Sequence, residues 1–571
     1  MSFAHNVCRS MTVLSSAAFA TVALAQSLPL DNSAAPAIPP VVEQVAKQQI
    51  TQSTLQAPIR FLADDALEGR GPATRGDALA RLYLATELRS FGYQPAGPNG
   101  SWEQPMDVVG VTARLPEKWT FTGGKGGPVD LKLSEDYVAG SGVQTEKAAI
   151  SDAEVVFVGY GIEAPEYRWD DFKGTDVKGK VLVMLNNDPD WDPKLFAGPT
   201  RLYYGRWTYK YESAARHGAA GVIIVHTTPS AGYPWQVVQS SWGGEQFELP
   251  AEGEPRLQVK GWATEAAAKR LASAGGKDLD KLIAAAKSRN FKPVSLGLRT
   301  SIELENEVSR VTTANVAGIL PGSDPKLKDE VVVFTAHHDH LGLGAPDSTG
   351  DRIYNGAVDN AAGCAQVLAI ARAMAALPER PRRSVLVLFV AAEEQGLLGS
   401  LYYSLHPTIA PGRIAANINY DGGNFRGRTR DVTLIGFGKS SLDAVAQAIV
   451  QRQGRTLVPD QFPDRGFYYR SDQFSFAKIG VPALYFKRGT DYIGKPPGWG
   501  KEQEELWEAH TYHQPSDEID DTWQFDGMID DAQLGFYSGW LVAQADAMPT
   551  WNPGDEFEAA RRKALEAVGS P

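Results

Sequence analysis

Several side chains able to hold a metal ion or move a proton fall at short polar breaks that follow apolar runs. Val331 to Phe334 leads into Thr335-Ala336-His337-His338-Asp339-His340, Ser384 to Ala392 leads into Glu393-Glu394, and Ile414 to Tyr420 leads into Asp421. Asp359 opens Asp359-Asn360-Ala361-Ala362-Gly363, and His513 stands in Tyr512-His513-Gln514-Pro515. Each alone has an ordinary reading: a core or surface histidine, a helix cap, a solvated glutamate pair. Together they do not. Glu393 and Glu394 follow a stretch that reads as buried on both faces, where ionised carboxylates need a cation or a partner. His337, Asp359, Glu394, Asp421 and His513 form a nitrogen and oxygen donor set that suits zinc rather than a thiolate-selected metal. They are more than one tetrahedral ion with an open position uses. Two ions about 3.5–4 Å apart, sharing one carboxylate, would employ all of them.

These residues need a scaffold that delivers them to one edge. From Asn315-Val-Ala-Gly-Ile-Leu320 to Met548, apolar strands alternate with helices: Val331 to Phe334, Ser384 to Val390, Ile414 to Tyr420, Val432 to Ile435 and Val481 to Phe486. Near-continuous apolar strands separated by helices predict an α/β fold, a mostly parallel central sheet with helices on both faces. In such sheets ligands gather beyond the carboxyl ends of the strands, where these polar groups fall. Upstream, Pro58 to Gly92 has helical spacing broken at Gly69-Arg70-Gly71. Between residues 131 and 294 the texture is that of a β-rich module, with strands at Glu154 to Gly159, Gly179 to Leu185 and Ala220 to Val225 and a helix from Tyr209 to His217. The expected organisation is a signal peptide over 1–25, a lead-in and helical part over 26–130, an insert over 131–294 and a catalytic region over 295–571. The tail reads as one helix from about Asp526 to Ala547 and a charged helix from Asp555.

The whole-chain numbers narrow the class. In 571 residues, 43% are hydrophobic, and a net charge of −12 without Lys/Arg runs argues against a nucleic-acid surface. His5 and Arg9 precede an apolar stretch from Met11 to Leu24 that ends in Ala23-Leu24-Ala25, the pattern of a cleaved export signal. That stretch is too short for a membrane span and no comparable one follows, so no stable membrane insertion is expected. Cys8 and Cys364 are the only cysteines; removal of the signal would leave Cys364 alone, without an intrachain disulfide.

Five motifs in one order carry a family resemblance: Ala336-His337-His338-Asp339, Gly356-Ala-Val-Asp359-Asn360-Ala-Ala-Gly363, Ala392-Glu393-Glu394-Gln395-Gly396-Leu-Leu-Gly399-Ser400, Asn419-Tyr420-Asp421 and Tyr512-His513. The chain resembles the co-catalytic dinuclear zinc exopeptidases, which include bacterial leucyl aminopeptidases, glutamate carboxypeptidase and related glutaminyl cyclases. The 131–294 stretch is similar to the protease-associated insert of some members. The resemblance implies two Zn²⁺ per chain, with Asp359 bridging, His337 and Asp421 completing one site, and Glu394 and His513 the other. It implies Glu393 as general base, passing a proton from an activated water to the leaving amine. Asp339 would accept the other N–H of His337 and fix its ring. Tyr512 would donate a hydrogen bond to the tetrahedral oxyanion, with packing beside His513 as its plain alternative.

Period-two alternation puts His338 and His340 opposite His337 and Asp339, so they are assigned no ligation. Asp472 reads equally as an acidic residue near the site and as a helix N-cap. Tyr492 to Trp507, rich in Gly, Pro and Trp, is a candidate rim loop. The resemblance implies an exported aminopeptidase acting on peptide substrates. The alternatives are a carboxypeptidase or dipeptidase of the same superfamily, or a non-catalytic receptor-like relative. The short stretch after His513 leaves no room for the helical dimerisation domain of the carboxypeptidase relatives. The stretch between Asp421 and His513 is too short for the lid of another zinc exopeptidase clan. Preferred N-terminal residue and oligomeric state have no signature in the sequence.

Overall fold

Val331–His337, Ser384–Val390 and Ile414–Asn419 expose nothing, which is why each reads as an unbroken apolar run. In the computed structural model, which describes residues 37–569, these strands and Ala483–Arg488 lie side by side and parallel, in the order Ser384–Val390, Val331–His337, Ile414–Asn419, Ala483–Arg488. Antiparallel flanks extend them: Val294–Leu320 beside Ser384–Val390, and Asp431–Ile435 beside Ala483–Arg488. Alternate residues feed two cores. Val332, Phe334, Val385, Val387 and Phe389 pack under helices Ala362–Ala375 and Asp526–Gln544 and the N-terminal helices Pro40–Gln49 and Gln52–Leu62. Val331, Val333, Leu386, Leu388 and Val390 face the other way, towards Tyr403 of helix Leu398–Leu405 and Phe476 of helix Gln473–Lys478. The sheet is thus covered on both faces, as expected.

The helical stretch predicted from Pro58 to Gly92 resolves into Gln52–Leu62 and Arg75–Ser90, separated by a turn over Asp65–Arg70. The signal peptide expected over 1–25, with Cys8, lies outside the described residues. No helix among the described residues is long and apolar enough to cross a membrane.

The added region has its own core, but its limits differ from those expected. Trp119 and Phe121 already belong to that core and Leu304 closes it, while residue 131 lies inside strand Val129–Lys132. The cause is Val294–Leu320, a 27-residue strand that serves both halves. Its first part pairs with Lys147–Phe157, its middle with Glu103–Arg114, and its end with Ser384–Val390. Leu296, Leu298, Ile302 and Leu304 alternate with exposed residues along one face of the added region. The last stretch, entering the central sheet, is buried on both faces. From Ile38 onward the chain is one compact unit.

Candidate metal centre

The parallel register brings the carboxyl ends of three strands level. His337 is opposite Val390, three residues before Glu393, and Thr335 is opposite Asn419, two before Asp421. The chain then turns abruptly: Ala392 and His513 both adopt left-handed backbone conformations, at φ 53° and 57°. Such conformations persist in non-glycine residues only where the surroundings enforce them. Gly356 has φ 59°, and a Cβ there would stand 2.6 Å from the His340 ring, so the loop before Asp359 needs glycine.

Asp359 lies between the two histidines that the sequence paired with it. Its Oδ1 is 3.2 Å from His337 Nε2 and its Oδ2 is 3.4 Å from His513 Nε2. Asp421 Oδ1 is 3.6 Å from His337 Nε2, and Glu394 Oε2 is 3.0 Å from His513 Nε2. All five predicted ligands therefore converge, with one carboxylate oxygen of Asp359 towards each imidazole. Glu393 Oε2 stands 4.0 Å from His337 Nε2, beside the donors on the cavity side.

The electrostatics ask for positive charge. Burial works against charge on both imidazoles, yet Glu393 drives the His337 pKa well up, and Glu394 does the same to His513. Burial first, then Glu394, Asp421 and Asp472, push Glu393 well above the usual carboxylate range. Both Nε2 atoms are buried without a hydrogen-bond partner. Two orphaned imidazole nitrogens among crowded carboxylates fit divalent cations, and sets such as His337, Asp359 and Asp421 offer donor atoms within 4.8 Å of one another.

Residues 315–534 match the model of Peptidase family M28. That match takes in all five candidate donors. A leupeptin-inactivating enzyme of Streptomyces exfoliatus is 25% identical over 263 residues, 44% of this chain and 52% of that protein. A protein of Leptosphaeria maculans described as a probable zinc metalloprotease is 33% identical over 126 residues, 21% of this chain and 28% of that one. The chain thus spans about half, or less, of the curated relatives it matches. An aminopeptidase from Aneurinibacillus sp. strain AM-1 shares the fold, with a TM-score of 0.51 at 17% identity, over 90% of this chain and 97% of that one.

Around this site, several residues depart from the sequence expectations. Asp339 does not chiefly hold His337 through its carboxylate. His337 Nδ1 is 3.2 Å from the Asp339 backbone carbonyl but 3.7 Å from its Oδ1. The carboxylate instead accepts the backbone N–H groups of Glu393 and Glu394 at 3.0 and 3.4 Å, fixing the loop that carries the pair. His338 turns away to Asp77 at 2.9 Å, as the alternation predicted. His340 does not: its Nδ1 is 2.7 Å from Glu394 Oε1, and with Asp359 and Glu394 it forms another group of donors. The strand ends at His337, so the period-two rule lapses before His340.

Asp472 caps nothing. It is fully buried with both oxygens unpartnered, and burial raises its pKa. Of the expected rim loop, the part from Trp499 onward is helix Trp499–His510, with Trp507 and Glu508 lining the cavity. Tyr512 lies against His513, ring centroids 3.9 Å apart, and accepts a hydrogen bond from Arg470 Nη2 at 3.2 Å. Burial raises its phenol well above 10, so it stays protonated and able to donate.

Sequence reasoning missed three supports. Asp517 accepts the backbone N–H groups of Val358 and Asp359, both at 3.0 Å. Arg70, in the turn before helix Arg75–Ser90, donates to the carbonyls of His338, Asn355 and Gly356, tying the histidine loop to the Asp359 loop. Ser241, at the end of helix Trp235–Ser241 in the added region, has its Oγ 2.9 Å from His513 Nδ1. Arg70 had a signal, the Gly69-Arg70-Gly71 break. Ser241 had none.

Proposed function

We propose that this chain is an exported zinc-dependent aminopeptidase that removes N-terminal residues from peptides with two ions per molecule. The observation that carries the reading is Asp359, whose two oxygens face two separate buried imidazoles with unpartnered nitrogens. His337 and Asp421 would hold one ion, and Glu394 and His513 the other, with Asp359 shared. His340 is placed to orient Glu394 or to join its group. Bound divalent ions would polarise the scissile carbonyl and acidify a water.

Glu393, adjacent to the donors on the cavity side, would take the proton from that water and return it to the leaving amine. Asp339 holds Glu393 and Glu394 in place through their amides, and Ser241 fixes the His513 ring. Tyr512 donates its hydroxyl hydrogen towards the oxyanion that develops at the carbonyl. The substrate enters a cavity of about 970 Å³, walled by the M28 domain on one side and the added region on the other. That the similar fold includes an aminopeptidase supports the amino-terminal direction.

The test is metal analysis with a panel of aminoacyl p-nitroanilides. Close to two divalent ions per chain are expected, with hydrolysis when the α-amine is free and none when it is acetylated. Faster release of C-terminal residues from N-blocked peptides would overturn the aminopeptidase reading and leave the metal site standing.

A further inference from the structure

One face of helix Leu398–Leu405 lines the cavity well beyond the metal donors. Leu398, Leu401, Tyr402 and Leu405 all border it, and these positions, i, i+3, i+4 and i+7, make a single stripe. The helix begins four residues after Glu394, so the stripe leads on from the glutamate loop for about 10 Å of helix rise. The cavity therefore does not end at the metal centre. Its volume, about 970 Å³, is at the upper end of what small-molecule sites enclose.

Another wall belongs to the added region and is aromatic. Trp207 and Tyr211, one turn apart on helix Trp207–Arg216, meet Trp242 edge to face, with ring centroids 6.0, 5.9 and 5.8 Å apart. All three border the cavity, and both indoles are half-buried. Two hydrogen bonds hold this wall against the loops that carry the metal donors. Ser241 Oγ is 2.9 Å from His513 Nδ1, and the Phe247 N–H donates to Gln395 Oε1 at 2.9 Å. Trp242 directly follows the first anchor, and Gln395 directly follows Glu394. The trio thus stands beside the metal centre. Glu248, Glu254, Arg256 and Lys260 of the added region also border the cavity, but they are paired with one another. The stripe and the trio present apolar surface, and Leu405 at the far limit of the stripe is 61% exposed.

We propose that this part of the cavity binds the substrate beyond the scissile bond, with the Trp207–Tyr211–Trp242 trio receiving a large apolar side chain at the second or third residue after the cut. An extended peptide advances about 3.3 Å per residue, so the stripe matches about three residues. An aminopeptidase keeps one residue on the amino side of the cut, which places a run of that length on the carboxyl side. The preferred substrates are then apolar oligopeptides of about four residues or more, not dipeptides. The proposal rests on the aminopeptidase reading for which side of the cut is bound, and on the stripe and the trio for what is recognised.

The test follows leucine release by the zinc-loaded full chain from Leu-Ala-amide and its versions lengthened by one, two and three alanines, the amide removing any terminal carboxylate. The kcat/KM should climb until about three residues follow the cut and then level off. Phe in place of Ala at the second or third residue after the cut should add about 10- to 100-fold, mostly through KM, the worth of burying one aromatic side chain. In Trp207→Ala and Trp242→Ala the Phe-to-Ala ratio should fall towards one. In Leu405→Glu, where the exposed side chain lets the fold stand, the gain from the third residue should shrink. Equal kcat/KM across both the length and the Phe series of the wild-type protein overturns the proposal, whether or not the variants fold. If leucine is released from no peptide, the aminopeptidase reading fails instead. Calorimetric binding of the intact peptides to the same protein then decides, affinity that rises with length sustaining the proposal and equal affinity overturning it.

Discussion

At the scale of single residues, the adjacent glutamates separate two jobs that chemistry keeps apart. Glu394 faces His513 and His340, whereas Glu393 faces the cavity and His337. Glu393→Gln is therefore expected to keep its metal, by elemental analysis, while turnover falls about 10²–10⁴-fold, the usual worth of a positioned base. Glu394→Gln should do the reverse and weaken metal affinity in a chelator competition. Opposite behaviour would exchange the two roles. Asp339→Asn should cost on the order of 10–100-fold in metal affinity or activity, as other supports of ligands do. The site residues were legible because their motifs are local: each polar group follows its strand directly in sequence. Ser241 was not, because nothing in its own neighbourhood points to a partner in the other half of the chain.

At the scale of elements, the segment from His226 to Ser241 links the added region to the metal centre. His226 Nε2 donates to the Tyr233 carbonyl at 3.1 Å, its ring lies 5.3 Å from Trp235, and Ser241 ends the helix that follows. Ser241→Ala should lower metal affinity by about 10–100-fold without loss of fold, measured by competition and circular dichroism; unchanged affinity would make the contact incidental. Burial lowers the His226 pKa from 6.5 to about 4, so the unfolded chain binds more protons between those values. The stability this histidine contributes is complete above pH 6.5 and is lost as pH falls towards 4, on the order of 3 kcal/mol at the limit. Urea melts from pH 4 to 7 should show that slope in the wild type and a shallower one in His226→Gln. The alternation of Leu296, Leu298, Ile302 and Leu304 is a period-two strand signal that runs straight into the apolar run after it, so the expected boundary at 294 falls where one continuous strand begins.

At the scale of the whole molecule, metal and stability should be coupled. The centre collects Asp359, Glu393, Glu394 and Asp421 around two imidazoles, and cations that bind only the folded chain stabilise it by mass action, about 2.7 kcal/mol at a hundred times the dissociation constant. Thermal melts in chelator and in zinc should differ, with the zinc-loaded protein melting higher; coincident melts would argue against a bound metal. Thiol reagents should leave activity untouched, because Cys364 is fully buried and burial pushes its thiol up to about 12.

The strand Val294–Leu320 also bears on how such a chain can change length over generations. From Glu305 to Val316 it is paired without interruption to Glu103–Arg114, and its two ends sit in different cores. A residue gained or lost inside that ladder would turn every later side chain to the opposite face and point the buried end towards solvent. Length variation should therefore be excluded from the ladder and concentrated in exposed segments such as Ala251–Pro255, where a deep insertion scan would find the tolerated sites. The added region is in this sense inherited together with the central sheet: its frame is set by the same strand that enters the sheet beside Ser384–Val390.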